Sequence, residues 1–385
     1  MTAAFAPARR MLELARRSLR PVTVSSPGPG VISLIAGDPC FPTPDPIREA
    51  LAKAVSAGFT RYAHSQGDPE LREVLAQLLS QRSGRVYTPE QVLITHGASA
   101  ALTAVMLALL DPGHRVIVPE PTYSLYTDLA TVAGAEVTFV RHRPDFHLDV
   151  DGIAAVAPGA RMVVICNPCN PTGAVYPRAE LEALASIAAE HDLLVVCDEA
   201  YDHVVYDGVA FTSALEVEAL AERLIYVQSF SKTYAMTGWR VGYLAAPHEV
   251  VAAAASLHRT FNGPVNSAVQ RAALAAAVLP ETWAESMRRE YQARRDVVLR
   301  AARGYPDLRL RPPEGTFYAF LGYRLPLAST EVAKLALERG VAVRAGAEYG
   351  PGGEGFIRIA FSTDLSLLAE GLGRLLPLLA GERPS

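Results

Sequence analysis

A lysine and an arginine stand in one polar segment of the chain, residues 229–240, between two apolar runs. Lys232 could form an imine with a carbonyl compound, because partial burial lowers the pKa of a lysine amine and frees it to attack. The hydroxyl groups of the segment and the guanidinium of Arg240 could hold a phosphate. An imine-forming lysine beside a phosphate site is what pyridoxal 5′-phosphate (PLP) needs. An isolated Ser-x-x-Lys more often marks an ordinary surface loop, so other motifs must decide between the two.

Further polar turns follow predicted apolar strands and could complete a site for that cofactor. The turn at residues 97–99 opens a predicted helix whose free N–H groups attract phosphate, although an ordinary N-cap by Ser99 is the alternative. Asn170 lies in a loop with two prolines, and its amide could donate to a ring oxygen. Asp198 ends an apolar run, where an unpaired carboxylate would cost several kcal/mol. A protonated pyridine nitrogen would pair with it, and a salt bridge within the core is the alternative.

The elements that would position these side chains alternate along the chain. Short apolar strands separated by helical stretches predict an α/β fold with a mostly parallel central sheet, covered on both faces. Ligands of such sheets bind at the carboxyl ends of the strands, so the polar turns would meet at one edge. We predict a large domain of residues 47–265 and a smaller α+β domain of residues 1–46 and 266–385, which includes an amphipathic N-terminal helix.

Composition and charge argue against several classes of function. The net charge of −4, from 36 basic and 40 acidic residues, does not favour nucleic acid or an anionic membrane as partner. No uninterrupted apolar run of about 18 residues predicts a membrane span. Residues 1–20 lack the apolar core and cleavage site of a secretory signal. We therefore expect a cytoplasmic enzyme.

Two of the four cysteines form the motif Cys166-x-x-Cys169. This spacing can mark redox chemistry or half of a metal site. The chain has neither a second C-x-x-C nor a His pair at ligand spacing, and Cys166 ends an apolar run. We expect small buried thiols and no metal site.

In their order along the chain, the motifs resemble the class I/II aminotransferases of PLP fold type I, and the likeness covers nearly the whole chain. The matching motifs are Asn-Pro-x-Asn-Pro-Thr-Gly at 167–173, Asp-Glu-Ala-Tyr at 198–201, Ser-x-Ser-Lys-x-x-x-x-x-Gly-x-Arg-x-Gly at 229–242, Tyr-x-x-x-x-Gly-x-x-x-Leu-Arg at 62–72 and Ile-Arg-Ile-Ala at 357–360. Two positions depart from the family pattern. Cys169 replaces another small residue, and residues 345–350 replace Pro-Gly-x-x-Phe-Gly, which predicts a different substrate-side loop.

The resemblance implies a role for each site residue. Lys232 would be the imine-forming lysine and the proton carrier, and Asp198 would pair with the pyridine nitrogen. Arg358 would bind the substrate α-carboxylate, with Asn170 and the backbone of Gly37 close by. The remaining cofactor contacts would be Asn170 and Tyr201 to the phenolic oxygen, Tyr123 stacked on the ring, and Ala98, Ser99, Ser229 and Arg240 to the phosphate. Tyr62 would reach the phosphate of the neighbouring subunit, which implies a homodimer with shared active sites.

The implied function is transfer of an amino group between an L-amino acid and a 2-oxo acid, by a ping-pong mechanism through an internal aldimine of Lys232. A second hypothesis is another PLP reaction on the same fold, such as β-elimination (a C–S lyase) or decarboxylation in a biosynthetic pathway. A third is a PLP-sensing regulator, but residues 1–30 do not supply the DNA-binding module it would need.

The sequence says less about the substrate side chain. No second arginine can be assigned to a distal carboxylate. Tyr123, Phe261 and Tyr349 would allow an aromatic or large apolar side chain. His64 and His96 stand beside predicted site residues. We expect ordinary loop histidines at both positions, although His64 could touch the substrate.

Overall fold

The computed structural model describes residues 6–20 and 28–382. The helices are α1 (Arg9–Arg17), α2 (Asp45–Ser56), α3 (Pro69–Ser83), α4 (Gly97–Leu109), α5 (Leu125–Ala133), α6 (Val150–Val156), α7 (Arg178–Glu190), α8 (Phe230–Thr233), α9 (His248–Phe261), α10 (Ser267–Ala277), α11 (Glu281–Ala302), α12 (Ser329–Glu338) and α13 (Leu365–Leu379). The strands are β1 (Ile32–Ser33), β2 (Val92–Thr95), β3 (Arg115–Glu120), β4 (Glu136–Arg141), β5 (Met162–Cys166), β6 (Leu194–Asp198), β7 (Leu224–Ser229), β8 (Gly242–Ala245), β9 (Arg309–Leu310), β10 (Tyr318–Gly322), β11 (Val341–Ala342), β12 (Arg344–Ala345) and β13 (Phe356–Ala360).

The central sheet has seven strands in the order β2-β8-β7-β6-β5-β3-β4. Neighbouring strands are parallel except at β8, which is antiparallel to both β2 and β7. The predicted mostly parallel sheet is therefore confirmed. Strands β5 and β7 are buried at every position, because helices cover both faces, and this burial explains why their sequences are nearly continuous apolar runs.

A second, smaller sheet lies in the C-terminal part of the chain. Its strands are antiparallel, in the order β12-β13-β10-β9. Strand β1 pairs in parallel with β11, so that Ile32 stands opposite Val341. This pairing ties the segment before α2 to the C-terminal part of the fold.

Two helices pack differently from the predicted domain division. Helix α1 contacts α5, which flanks the central sheet, rather than the C-terminal part. Helix α10 packs against α2 and α3, and its alanines (Ala272, Ala273 and Ala276) belong to the core of the central sheet. Small side chains allow this close packing, but they do not indicate in the sequence which partner a helix will choose. The boundaries at residues 46/47 and 265/266 remain a prediction, and residues 1–5, 21–27 and 383–385 of the predicted smaller domain lie outside the described part.

The central sheet sets the positions of the polar turns. Cys166 of β5 stands beside Asp198 of β6, and Asp198 stands beside Val227 of β7. The Asn170 loop, Asp198 and the turn with Lys232 therefore follow three neighbouring strands at one edge of the sheet. No helix within residues 6–20 and 28–382 is long and apolar enough to cross a membrane.

Candidate active site

Lys232 lies in the single-turn helix α8, directly after β7. Its Nζ donates to the carbonyl oxygen of Gly37 at 2.5 Å. Burial lowers the pKa of the Lys232 amine to about 8, although the nearby Asp38 carboxylate acts in the opposite direction. Asp38 itself accepts a hydrogen bond from Thr237 Oγ1 at 2.6 Å. An amine with this lowered pKa is partly unprotonated near neutral pH, so it can attack a carbonyl carbon or accept a proton.

Asp198 is buried at the carboxyl end of β6. Its Oδ2 accepts a hydrogen bond from the hydroxyl of Tyr126 at 2.9 Å, and its Oδ1 accepts one from the N–H of Ala200 at 3.2 Å. Burial raises the pKa of the carboxyl group, whereas these donors and the charge of Lys232 lower it. The two donors are neutral groups, not the partners of a core salt bridge. A cationic ring nitrogen would be a stronger partner for this carboxylate.

Sequence reasoning missed Tyr126. It lies on α5, is fully buried, and its hydroxyl reaches Asp198 across the sheet. Its spacing along the helix is that of an ordinary core tyrosine, and only the hydrogen bond to Asp198 distinguishes it. The edge of its ring packs against Tyr123, with ring centroids 5.7 Å apart and an interplanar angle of 89°. Tyr126 therefore holds both the carboxylate and the aromatic ring that was expected to stack on the cofactor.

Tyr318 is a second residue that sequence reasoning missed. Its hydroxyl lies 2.9 Å from the hydroxyl of Tyr201, and the Arg358 guanidinium carbon lies 4.1 Å from the centre of its ring. The Tyr318 hydroxyl also passes so close to the backbone of Gly37 that a Cβ at position 37 would collide with it. Tyr318 lies on β10, which pairs with β13 so that Phe320 stands opposite Arg358, and no feature of the sequence indicated this pairing.

Arg358 is buried on β13. Its Nη1 donates to Asn170 Oδ1 at 3.2 Å and its Nη2 donates to the carbonyl oxygen of Ile35 at 2.5 Å. Its Nε is buried and has no hydrogen-bond partner among the described residues. The ring of Tyr349, from the loop that departs from the family pattern, has its centre 5.2 Å from the guanidinium carbon. A buried guanidinium with an unused N–H suits a carboxylate ligand.

The N-terminus of α4 and the guanidinium of Arg240 lie close together, and we call this pair of elements the cradle. Added Cβ atoms at the glycines around it would collide with neighbouring atoms. A Cβ at Gly97 would stand 2.8 Å from Arg240 Nη2, and a Cβ at Gly242 would stand 2.9 Å from the backbone N of Ala98. His96 occupies the N-cap position without a capping side-chain hydrogen bond, so the alternative of a Ser99 N-cap is wrong. The N–H groups of the first helical turn therefore lack the side-chain acceptor that usually satisfies one of them. Uncapped amides next to a guanidinium favour a phosphate.

The structure brings most of the expected site residues to this edge of the sheet. Asn170 accepts a hydrogen bond from Arg358, and Tyr201 contacts Tyr318, whose ring lies against Arg358. Ser229 caps α8 by accepting a hydrogen bond from the N–H of Ser231 at 3.1 Å. Tyr62 differs from the others, because its side chain is 94 % exposed. Cys166 and Cys169 are free thiols and, as expected, buried.

Comparisons with known proteins agree with this geometry. The family model described as "Aminotransferase class I and II" matches residues 29–375. The aspartate/prephenate aminotransferase of Thermus thermophilus is 36% identical over 360 residues, which cover 91% of this chain and 92% of the relative. The aromatic-amino-acid aminotransferase 2 of Thermococcus litoralis is 36% identical, with 90% of this chain and 91% of the relative covered. A solved structure of a tetra mutant of Thermus thermophilus aspartate aminotransferase matches with a TM-score of 0.87 at 35% identity, covering 97% of this chain and 99% of that chain.

Proposed function

We propose a role for each residue of this site, on the basis that the chain belongs to the class I and II aminotransferases. It is a PLP-dependent aminotransferase (EC 2.6.1.-) of fold type I. One observation supports the residue roles above all. Three groups lie together at one edge of the central sheet. They are the amine of Lys232, whose pKa is lowered, and the buried charged groups of Asp198 and Arg358. Lys232 would react with the carbonyl group of the cofactor, Asp198 would pair with its ring nitrogen, and Arg358 would bind the carboxylate of the substrate.

The side chains fit the cofactor that the family uses. The cradle of α4 and Arg240 would hold its phosphate, and the hydroxyls of Ser99, in the first turn of α4, and Ser229, the N-cap of α8, would contact it. At the other end of the site, Asp198 would accept a hydrogen bond from the ring nitrogen, and its negative charge would keep that nitrogen protonated. When bound there, the cofactor supplies a sink for the electron pair that remains when a Cα–H bond breaks.

Side chains of the protein then bind the substrate and transfer its proton. Arg358 binds the α-carboxylate of the amino acid, and Asn170 and Tyr318 fix the plane of its guanidinium. Lys232 accepts the proton from the substrate Cα at Nζ and delivers it to the carbon that carried the cofactor's aldehyde oxygen. Because the pKa of this amine is near 8, both protonation states are populated close to neutral pH, as a group that alternates between base and acid requires.

The proposed substrates are an L-amino acid and a 2-oxo acid, used in turn in a ping-pong reaction. Both carry a carboxylate next to the reacting carbon, so one Arg358 can serve both half-reactions. The relatives reported above are named aminotransferases, which favours amino-group transfer over the β-elimination, decarboxylation and regulator hypotheses. The cytoplasmic location expected from the sequence remains a prediction.

We expect the change Arg358→Lys to raise the KM for the amino acid by about 10- to 100-fold, because lysine keeps the charge but loses the two-pronged grip on the carboxylate. Steady-state kinetics with one amino acid and one 2-oxo acid measures this. The matched control is Arg344→Lys, since Arg344 stands opposite Arg358 across the sheet and pairs with Glu348 at 3.0 Å instead. An equal rise in both variants would contradict the role of Arg358.

The rate at which cofactor-free protein captures PLP covalently should rise with pH, with a midpoint near pH 8. Only the unprotonated amine attacks the aldehyde, so capture is slow below the pKa of about 8 and levels off above it. Stopped-flow absorbance measures the capture rate. The same titration with N-acetyl-lysine amide corrects for ionisation of the cofactor. A midpoint near the ordinary lysine value of about 10.4 would contradict the lowered pKa.

We further propose a homodimer whose active sites are shared. Tyr62 is 94 % exposed in the single chain, and Phe261, at the end of α9, is 67 % exposed. An exposed Tyr62 is free to contact a partner subunit, which is the role that the resemblance to the family implies for it. In the proposed dimer, Tyr62 donates to the phosphate in the neighbouring subunit's site, and the same contact repeats across a two-fold axis.

Mixing two defective variants tests this sharing. Tyr62→Ala and Lys232→Ala homodimers should each be impaired, and we expect their mixture, unfolded and refolded together, to regain about one quarter of wild-type activity. Half of the dimers are then hybrids, and each hybrid holds one site with an intact lysine and the partner subunit's intact tyrosine. If Tyr62 served its own subunit, the mixture would regain nothing.

A further inference from the structure

Two histidines stand side by side behind the phosphate cradle. His96 directly precedes Gly97 and forms the N-cap of α4, and His258 lies on α9 with 1 % of its surface exposed. Nδ1 of His96 is 3.2 Å from Nε2 of His258. The two rings are stacked, with centroids 5.2 Å apart. His96 is thus not the ordinary loop histidine expected from the sequence, because a buried partner fixes its ring.

Few charged groups bear on this pair within the described residues. Helix α4 and strand β2, both packed against α9, contain no ionisable side chain. The turn at residues 89–91 contributes Glu90, but the charges that act on Glu90 are Arg72 and His248, the latter at the far end of α9. Arg240 is the charged group that acts on His96, and its Nη2 lies 3.5 Å from the His96 carbonyl oxygen. On α9 itself, Arg259 follows His258 and is exposed.

This environment disfavours a proton on either ring. Burial and the charge of Arg240 lower the pKa of His96, and burial and His96 lower the pKa of His258 to about 4. Nδ1 of His258 is buried without a hydrogen-bond partner among the described residues. In the neutral pair, one ring donates and the other accepts across the 3.2 Å contact.

We propose that the His96–His258 pair takes up one proton from solvent when a phosphate dianion binds between the N-terminus of α4 and Arg240. This inference rests on the proposed function, because it takes that cradle as the phosphate site. The dianion offsets the charge of Arg240 on His96 and adds an attraction of its own, which opposes the burial that disfavours a charged imidazole. A second proton would leave two N–H donors facing each other, so uptake stops at one. The anion thereby gains an additional buried cationic partner in acidic solution.

Sulfate is the suitable probe, because it stays divalent at pH values at which phosphate itself titrates. We would measure its binding to the full-length, cofactor-free protein by titration calorimetry in buffers of different ionisation enthalpy, which counts protons directly. We expect uptake of up to about one proton per site, and an affinity that rises about three- to tenfold between about pH 7 and about pH 5.5. Absence of proton uptake in the wild-type protein, with sulfate bound, would overturn the proposal.

Variants distinguish the effect of proton uptake from the effect of the hydrogen bond between residues 96 and 258. In the double variant His96→Gln/His258→Gln the two amides can still hydrogen-bond to each other but neither can titrate, so sulfate affinity near pH 7 should change less than about twofold while proton uptake is lost. The control His191→Gln, at the end of α7, should keep the uptake. Equal uptake by wild type and the double variant would overturn the proposal. If Arg240→Gln bound sulfate as tightly as wild type, the proposal that the cradle is the phosphate site would fail. That result differs from one in which sulfate binds normally and only the proton uptake is missing.

Discussion

Replacing Lys232 with alanine should lower kcat by at least about 10⁴-fold, the largest effect we expect from any single substitution in this chain. The change removes both the attacking amine and the group that carries the substrate proton. Purified Lys232→Ala protein should also lose covalent attachment of PLP while keeping its phosphate contacts. Single-turnover mixing with an amino acid, followed by absorbance, measures the remaining rate of proton transfer.

Two controls make the Lys232 result specific. The chain has two other lysines, Lys53 and Lys334, and both are exposed. Lys53→Ala and Lys334→Ala should leave kcat unchanged within about twofold, as surface substitutions usually do. A small amine added to Lys232→Ala should restore part of the proton-transfer rate, because it can occupy the space that the side chain leaves. Full activity of Lys232→Ala without added amine would contradict the assignment.

The change Asp198→Ala should lower kcat by about 10²- to 10³-fold, the second largest effect. Without the carboxylate, a protonated ring nitrogen would be buried with no anionic partner, which costs about 3–5 kcal/mol, so the nitrogen loses its proton and the ring draws electrons poorly. Rapid-mixing kinetics of the half-reaction with an amino acid measures the loss.

Graded variants distinguish the charge of Asp198 from its shape. Asp198→Asn keeps the size and one acceptor but removes the charge, so it should be nearly as slow as Asp198→Ala. Tyr126→Phe removes one donor to the carboxylate, and one hydrogen bond of about 1 kcal/mol corresponds to a loss of about fivefold. The expected order of rates is therefore wild type, Tyr126→Phe, Asp198→Asn and Asp198→Ala. An Asp198→Asn variant as fast as wild type would contradict an electrostatic role.

Side chains that end buried strands could be predicted from the sequence. Asp198 and Lys232 each follow a continuous apolar run, and parallel strands place their carboxyl ends at one edge of a sheet. The order of the motifs along the chain was therefore enough to bring the acid, the lysine and the Asn170 loop together. The residue roles attached to them came from the resemblance to a family, and they remain proposals that the variants above test.

Other features could not be read from periodicity. Tyr126 and Tyr318 stand in apolar stretches where a tyrosine usually fills a core, and their hydrogen bonds depend on distances between elements that are far apart in sequence. The apolar run that forms β8 does not indicate whether the strand is parallel or antiparallel to its neighbours, so its antiparallel pairing was not predicted. The alanines of α10 could pack against the central sheet or against the C-terminal part of the fold, so their pattern did not indicate which of the two they contact. The contact between His96 and His258 joins residues 162 positions apart.

Chemical trapping tests the central claim most directly. The purified protein, loaded with PLP, is reduced with borohydride, digested and mapped by mass spectrometry. The lysines that can carry the cofactor are those at positions 53, 232 and 334, and an adduct on the N-terminal amine is distinguished by its peptide. We predict a stable adduct on the peptide that contains Lys232, with Lys53 and Lys334 unmodified. An adduct confined to one of the two exposed lysines, or no adduct in an active preparation, would contradict the assignment of Lys232.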